Sequence, residues 1–128
     1  MTHKIRLHRT NDPDYNAMNQ LATTPEPPYY AVIFASVRQE SDESAYQRTA
    51  ARMLELAASQ PGFLGVDSAR SDGLGITVSY WQDEEAIKAW KHQVEHTQAR
   101  RMGREKWYRE YSLRVARVER TYGFLSTG

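Results

Sequence analysis

Cysteine is missing from all 128 residues. Its absence excludes disulfides, cysteine nucleophiles and thiolate metal sites together, and it is compatible with a reducing cytoplasm, the expected location. Long apolar runs are missing too. The longest, Tyr29 to Ala35, falls far short of the ~20 apolar residues of a spanning helix, so it is a strand candidate. Met1 to Arg9 carries charge with no apolar stretch behind it, so no secretory signal is expected. Charge of one sign is lacking as well: 17 Lys+Arg face 16 Asp+Glu, a formal net charge of +1. No global basic field concentrates nucleic acid or anionic lipid. Hydrophobic residues make up 40% and charged residues 26%, the proportions of an ordinary globular chain, and the length suits one domain.

Proline is scarce and clustered: three of the five stand at Pro25, Pro27 and Pro28. Together with Asn11-Asp12-Pro13-Asp14 they exclude helix and favour extended, solvated backbone. Residues 1–28 therefore read as an N-terminal extended arm and 29–124 as the domain proper. Tyr15, Met18 and Leu21 could anchor the arm on a partner subunit.

Within the domain the periodicities are distinct. Tyr29 to Arg38, rich in Val, Ile, Phe and Tyr, predicts a strand. Ser41-Asp42-Glu43 supplies a cap and an acidic first turn for a helix whose apolar face is Tyr46, Ala50, Met53, Leu54 and Ala57. Pro61-Gly62 stops it. Phe63 to Ser71 and Gly75 to Trp81 are two strands joined by an Asp72-Gly73 hairpin turn. Asp83 caps a second helix, Glu84 to about His92, with Ala86, Ile87 and Trp90 inward. Helical pattern resumes from about Val94 to Lys106. Tyr111 to Arg120 closes as a fourth strand, ended by Tyr122-Gly123-Phe124.

The order βαββαβ implies an α+β, ferredoxin-like domain, a four-stranded antiparallel sheet with both helices on one face. Alternation puts Val32 and Phe34 on one face and Ile33, Ala35 and Val37 on the other. Ile76, Val78 and Tyr80 oppose Thr77, Ser79 and Trp81; Leu113 and Val115 oppose Ala116 and Val118. A sheet with one wet face should alternate apolar and polar cleanly, and this one is apolar on much of both. Two helices cover only one face. Sheet-against-sheet association of two copies covers the other, so a homodimer is expected.

Gln60-Pro61-Gly62-Phe63-Leu64-Gly65, then Ile76 to Trp81 followed by Asp83-Glu84-Glu85-Ala86-Ile87-Lys88-Ala89-Trp90, then a basic-aromatic helix and Arg114-Val115-Ala116-Arg117-Val118 together carry a resemblance. The chain resembles the antibiotic biosynthesis monooxygenase family over roughly residues 29–124. The resemblance implies a dimeric α+β barrel with a pocket between sheet and helices. It implies oxygenation of aromatic or quinol-type molecules without metal or flavin in one branch and haem cleavage in another. The haem-degrading branch uses an Asn on the first strand, a Trp on the second helix and a His about ten residues later. Trp90 matches the Trp, but Arg100 stands where the His belongs, and the strand around Phe34-Ala35 has no Asn. Haem as a cofactor is therefore the lesser expectation, with no cofactor the main one.

Oxygenation without a cofactor sets its own demands. Dioxygen is a triplet, so an organic anion must hand it one electron. The protein must remove a phenol or enol proton, keep the anion dry and stabilise its charge. Histidine suits the first task, Arg or Trp N–H groups the last, apolar walls the second. From His96, Arg100 lies four residues on and Trp107 eleven, so one side of a helix can hold all three. The expected catalytic residues are thus a base at His96 or His92 with Arg100, and the expected substrate-binding residues are Trp90, Trp81, Trp107 and Tyr108. Inward tryptophans also simply fill space, and Arg100 also reads as a solvated surface residue. A non-catalytic binder of a small ligand or haem, or an isomerase or decarboxylase using His96 as its base, are the alternatives.

Other templates weigh less. His92-Gln93-Val94-Glu95-His96 spells H-x-x-E-H, but an inverted zinc-protease site needs a third ligand and a far larger domain, so no metal is expected. Gln98–Arg120 holds eight basic residues and three acidic ones, interleaved with Trp107, Tyr108 and Tyr111, a superficial nucleic-acid signature. Arg114, Arg117 and Arg120 recur every three residues, however, which alternates faces of a strand; interface salt bridges are as good a reading, and no nucleic-acid partner is expected. The expected partners are a second copy and a small aromatic substrate.

Overall fold

The computed structural model describes residues 5–8, 20–40, 42–96 and 107–126, with 5–8 and 95–96 described by their backbone. The elements are β1 (Ile5–His8), β2 (Tyr29–Arg38), α1 (Glu43–Ala58), β3 (Phe63–Ser71), β4 (Leu74–Trp81), α2 (Glu84–His96), β5 (Tyr108–Val118) and β6 (Gly123–Ser126). From β2 to β5 the order is βαββαβ, and the four strands form an antiparallel sheet in the order β3-β4-β2-β5. This is the expected ferredoxin-like arrangement.

Local chemistry sets the boundaries. Asp42 caps α1, its carboxylate accepting from the Ala45 N–H at 3.0 Å, and Glu43 faces the positive end of the helix dipole. The Asp83 carboxylate does the same for Ala86 in α2, at 2.8 Å. Asp72 and Gly73 both have positive φ, 53° and 82°, the pair that a two-residue type I′ hairpin requires. Gly62 ends the α1–β3 turn at φ 87°, and a Cβ there would sit 2.6 Å from that of Ala86. The small residue thus lets α2 approach the turn.

Three boundaries differ from the sequence reading. Helix α2 continues unbroken through His92 to His96, because neither glycine nor proline interrupts it; the pattern expected for residues 97–106 lies outside the described residues. Strand β5 begins at Tyr108, paired along β2 as far as Arg38, with an irregularity at Val37/Arg38. It ends at Val118, and Gly123–Ser126 is a separate strand, antiparallel to β1, rather than the end of β5.

The apolar face of α1 also differs. Ala57 is buried and Tyr46, Met53 and Leu56 are half-buried, whereas Ala50 and Leu54 are exposed. Successive steps of four residues overshoot 3.6 per turn, so Leu54 is rotated roughly 80° from Tyr46, while Met53 and Ala57 return close to its line.

Register fixes the two sheet faces. Tyr30, Val32, Phe34, Ser36 and Arg38 lie opposite Trp81, Ser79, Thr77 and Gly75 of β4 and Leu113, Val115 and Tyr111 of β5. Contacts of Tyr46 with Trp107 and Tyr108 and of Trp90 with Trp81 mark this as the helix-facing side. The other face holds Ala31, Ile33, Ala35 and Val37 with Ile76, Val78 and Tyr80. Residues 20–28 cover one corner of it. The Ala22 N–H donates to Asp67 Oδ1 at 2.7 Å, the Tyr80 hydroxyl to Asp67 Oδ2 at 2.8 Å, and Thr24 Oγ1 to the Tyr29 hydroxyl at 2.9 Å. Ile76 and Leu74, also on this face, stay about half exposed.

Candidate functional site

The helix-facing side of the sheet carries two aromatic groups, one near each end. The first is built on the end of β4. Trp81 is fully buried, and its Nε1 donates to Ser79 Oγ at 2.9 Å. Trp90, from α2, stacks on it with ring centroids 6.0 Å apart and planes at 23°. Phe63 meets it edge-on at 5.4 Å. Trp81, with its N–H satisfied and no exposure, is a core residue that shapes a wall.

The second group lies where β2, β5 and α1 meet. Phe34, Tyr46, Tyr108, Tyr111 and Trp107 form it, with centroids 5.3 to 6.0 Å apart. Two arginines enter it. The Arg38 guanidinium carbon lies 3.4 Å from the centre of the Tyr46 ring. Arg38 Nε donates to the Trp107 carbonyl at 3.0 Å, and Nη1 to Glu43 Oε2 at 3.0 Å. Arg70 comes from β3. Its Nη1 donates to the Gly73 carbonyl at 2.7 Å and its Nη2 to the buried Ser36 hydroxyl. Its guanidinium carbon stands 5.8 Å from the Tyr46 ring centre. Gly75 makes room for it, since a Cβ at Gly75 would sit 2.4 Å from that guanidinium.

Tyr46 and Tyr108 share a hydrogen bond between their hydroxyls, 3.2 Å long. Burial above all, then this hydrogen bond, raises the Tyr108 phenol well above its ordinary value, against the pull of Arg70 and Arg38. Tyr108 therefore keeps its proton and can donate it to an oxygen; it is no general base at neutral pH. Trp107 Nε1 is buried with no hydrogen-bond partner, and a donor left so is costly.

Between the two groups the surface is mixed. Ser68 and Thr77 share a 2.7 Å hydrogen bond. Leu113 and Val115, on the same face, are 57% and 53% exposed. The strip beside β2 is therefore apolar and open.

The expected site residues distribute as follows. Trp81 and Trp90 come together at one end, Trp107 and Tyr108 at the other. His92 is exposed on α2; two residues beyond Trp90, it is turned about 200° around the helix from the ring that meets the sheet. The His96 side chain and all of Arg100 lie outside the described residues, as does the Glu95 side chain of the H-x-x-E-H motif. Among the described residues, no group of three or more metal-ligating side chains occurs. The arginine-rich strand β5 places Arg114 opposite Ile33 and Arg117 opposite Tyr30, on opposite faces.

Sequence reasoning passed over Arg38, Arg70 and Ser36, and took Tyr46 only as core. A signal existed. Arg38 shares a face with Phe34 by alternation, and Arg70 falls opposite Gly75, the one residue type that leaves room above a strand. Arginines at strand ends ordinarily read as solvated, which hides it.

Residues 28–102 match the family model described as antibiotic biosynthesis monooxygenase. The chain is 58% identical over 104 residues to the uncharacterized protein YqjZ of Bacillus subtilis, a span of 80% of this chain and 90% of that one. It is 29% identical over 92 residues to jasmonate monooxygenase ABM of Pyricularia oryzae, 70% of this chain but 43% of that protein. SnoaB, a cofactor-independent oxygenase from Streptomyces nogalater, superposes with a TM-score of 0.64 at 15% identity, covering 74% of this chain and 97% of that one. PA3566 from Pseudomonas aeruginosa superposes at 0.58, with 15% identity and coverage of 76% and 98%. At these identities the structural likeness shows the fold. Among the described residues, no helix is long and apolar enough to cross a membrane.

Proposed function

We propose that this chain, which belongs to the antibiotic biosynthesis monooxygenase family, is a cofactor-independent monooxygenase that oxidises an aromatic or quinol-type small molecule with dioxygen. The observation that carries the reading is the helix-facing side of the sheet. Aromatic walls near both ends, Trp81–Trp90 and Phe34–Tyr108–Tyr46, flank a strip where Leu113 and Val115 remain open. A flat, apolar ring system fits against such a surface.

The chemistry balances without an added reductant when the substrate carries an acidic CH2 between aromatic rings. A base removes one proton, and the resulting carbanion passes an electron to dioxygen. The two radicals combine to a peroxide, which loses water and leaves a ketone. One oxygen atom ends in the product and one in water, and the carbon supplies all four electrons. We assign the base to His96, since His92 is turned away from the sheet, and stabilisation of the substrate anion to Arg100 and the Trp90 N–H, with Tyr108 lining the site and the buried Trp81 and Trp107 backing its walls.

We also propose that the active form is a homodimer. Leu74 and Ile76, 56% and 49% exposed on the face away from the helices, would each contribute roughly 1 kcal/mol more on full burial, about half the value for a fully exposed side chain. Residues 20–28 reach only one corner of that face.

Oxygen uptake with a panel of anthrones, naphthols and hydroquinones tests the reading. Uptake of one dioxygen per molecule oxidised, with one atom of labelled oxygen in the product, is expected. The double variant His92→Ala, His96→Ala should lose most of that turnover. Absence of enzyme-dependent uptake across the panel overturns the oxygenase assignment, and full turnover by the double variant overturns the base.

A further inference from the structure

The geometry points to Arg70 as the anchor for an anionic oxygen, a carboxylate carried at one end of the aromatic ligand; this rests on the aromatic-ligand reading of the site and adds the ligand's charge and orientation. Arg70 is a cation without an acidic partner among the described residues. Its hydrogen bonds go to two neutral acceptors, the Gly73 carbonyl and the Ser36 hydroxyl, and Arg38 beside it is already neutralised by Glu43. The two bonds hold the planar fork against the sheet, and the guanidinium retains further N–H donors. A fixed guanidinium fork matches a carboxylate in two parallel hydrogen bonds.

The surroundings supply what else a carboxylate oxygen takes. Tyr46 borders Arg70, and its hydroxyl is paired with that of Tyr108, a phenol that remains a donor. Strand β4 then sets the scale. Arg70 lies over Gly75, and Trp81 is six residues further along, about 20 Å at ~3.3 Å per residue. A ligand held by its carboxylate over Gly75 would extend its rings past Phe34, toward the Trp81–Trp90 wall.

The test uses 2-naphthoate and its neutral counterpart 2-naphthalenemethanol as probes, titrated by ligand-detected NMR into the full chain. Wild type should bind the carboxylate at least ten-fold more tightly than the alcohol. Arg70→Gln should bring the carboxylate down to the alcohol's affinity and leave the alcohol unchanged. Arg70→Lys should retain part of the preference, and Arg52→Gln, on the exposed side of α1, all of it. Equal affinities in wild type, no binding of either probe, or an undiminished preference in Arg70→Gln overturns the anchor. Oxygen uptake is read separately. Uptake by the wild type without a carboxylate preference sinks the anchor alone; a carboxylate preference without uptake across the panel sinks the oxygenase reading alone.

Discussion

The guanidinium carbon of Arg38 lies over the ring of Tyr46, 3.4 Å from its centre, while its nitrogens hold the Trp107 carbonyl and Glu43. One side chain thus ties the end of β2 to the start of β5 and the first turn of α1. Its own exposure is only 9%, whereas Glu43 is 64% exposed, so the ion pair is screened by solvent and the ring contact and the Trp107 hydrogen bond carry most of the effect. Arg38→Ala should lower unfolding free energy by about 2–3 kcal/mol, combining a desolvated cation–π contact with charge-assisted hydrogen bonds. Urea denaturation checks it, and Arg38→Lys should recover less than half, since an ammonium cannot both stack and fork.

The raised phenol of Tyr108 makes stability depend on alkaline pH. Its folded value lies above the unfolded 10.0, so the native state holds that proton more tightly than the unfolded chain. This contribution is complete below pH 10 and declines as pH rises above it toward the folded value. Wild type should therefore lose stability between pH 9 and 11 more steeply than Tyr108→Phe, measured by denaturation at each pH. Parallel slopes would refute the role of this phenol.

Two glycines should respond differently to alanine. At Gly62 the positive φ and the Ala86 methyl 2.6 Å away oppose a Cβ from both sides, so Gly62→Ala should cost about 2 kcal/mol or more. At Gly75 the obstacle is the tip of Arg70, a flexible side chain that can swing away. Gly75→Ala should cost under about 1 kcal/mol yet lower 2-naphthoate binding as Arg70→Gln does. Thermal melts beside probe titrations separate the two.

The face away from the helices provides a test of assembly. Ile76→Arg places a charge among apolar side chains and should shift the protein from dimer to monomer in sedimentation equilibrium. A wild type that is monomeric at micromolar concentration would remove the homodimer proposal directly.

Asp67 binds residues 20–28 to the sheet, accepting from the Ala22 N–H and the Tyr80 hydroxyl. Asp67→Ala should raise the rate of proteolytic cleavage within residues 20–28 several-fold, while cleavage between β3 and β4 stays unchanged.

Much of this protein is written along the chain. Tyr29–Arg38 and Leu74–Trp81 are strands where β-branched and aromatic residues concentrate, Asp72-Gly73 turns because both residues accept positive φ, and Asp42 and Asp83 start helices because their carboxylates take free N–H groups. These are local preferences, satisfied by neighbours within a few residues, and they suffice for the order βαββαβ and for the two faces of the sheet. The pairing of β1 with β6, the meeting of Trp81 with Trp90 and the convergence of Arg38, Arg70, Tyr46 and Tyr108 were decided by tertiary structure. They depend on which strand lies beside which and on how far each helix is turned. Arg70 shows the difference most plainly: along the chain it is a polar residue near a hairpin, and only β4 beside it, with Gly75 lacking a side chain, lets its guanidinium reach across the sheet to Ser36.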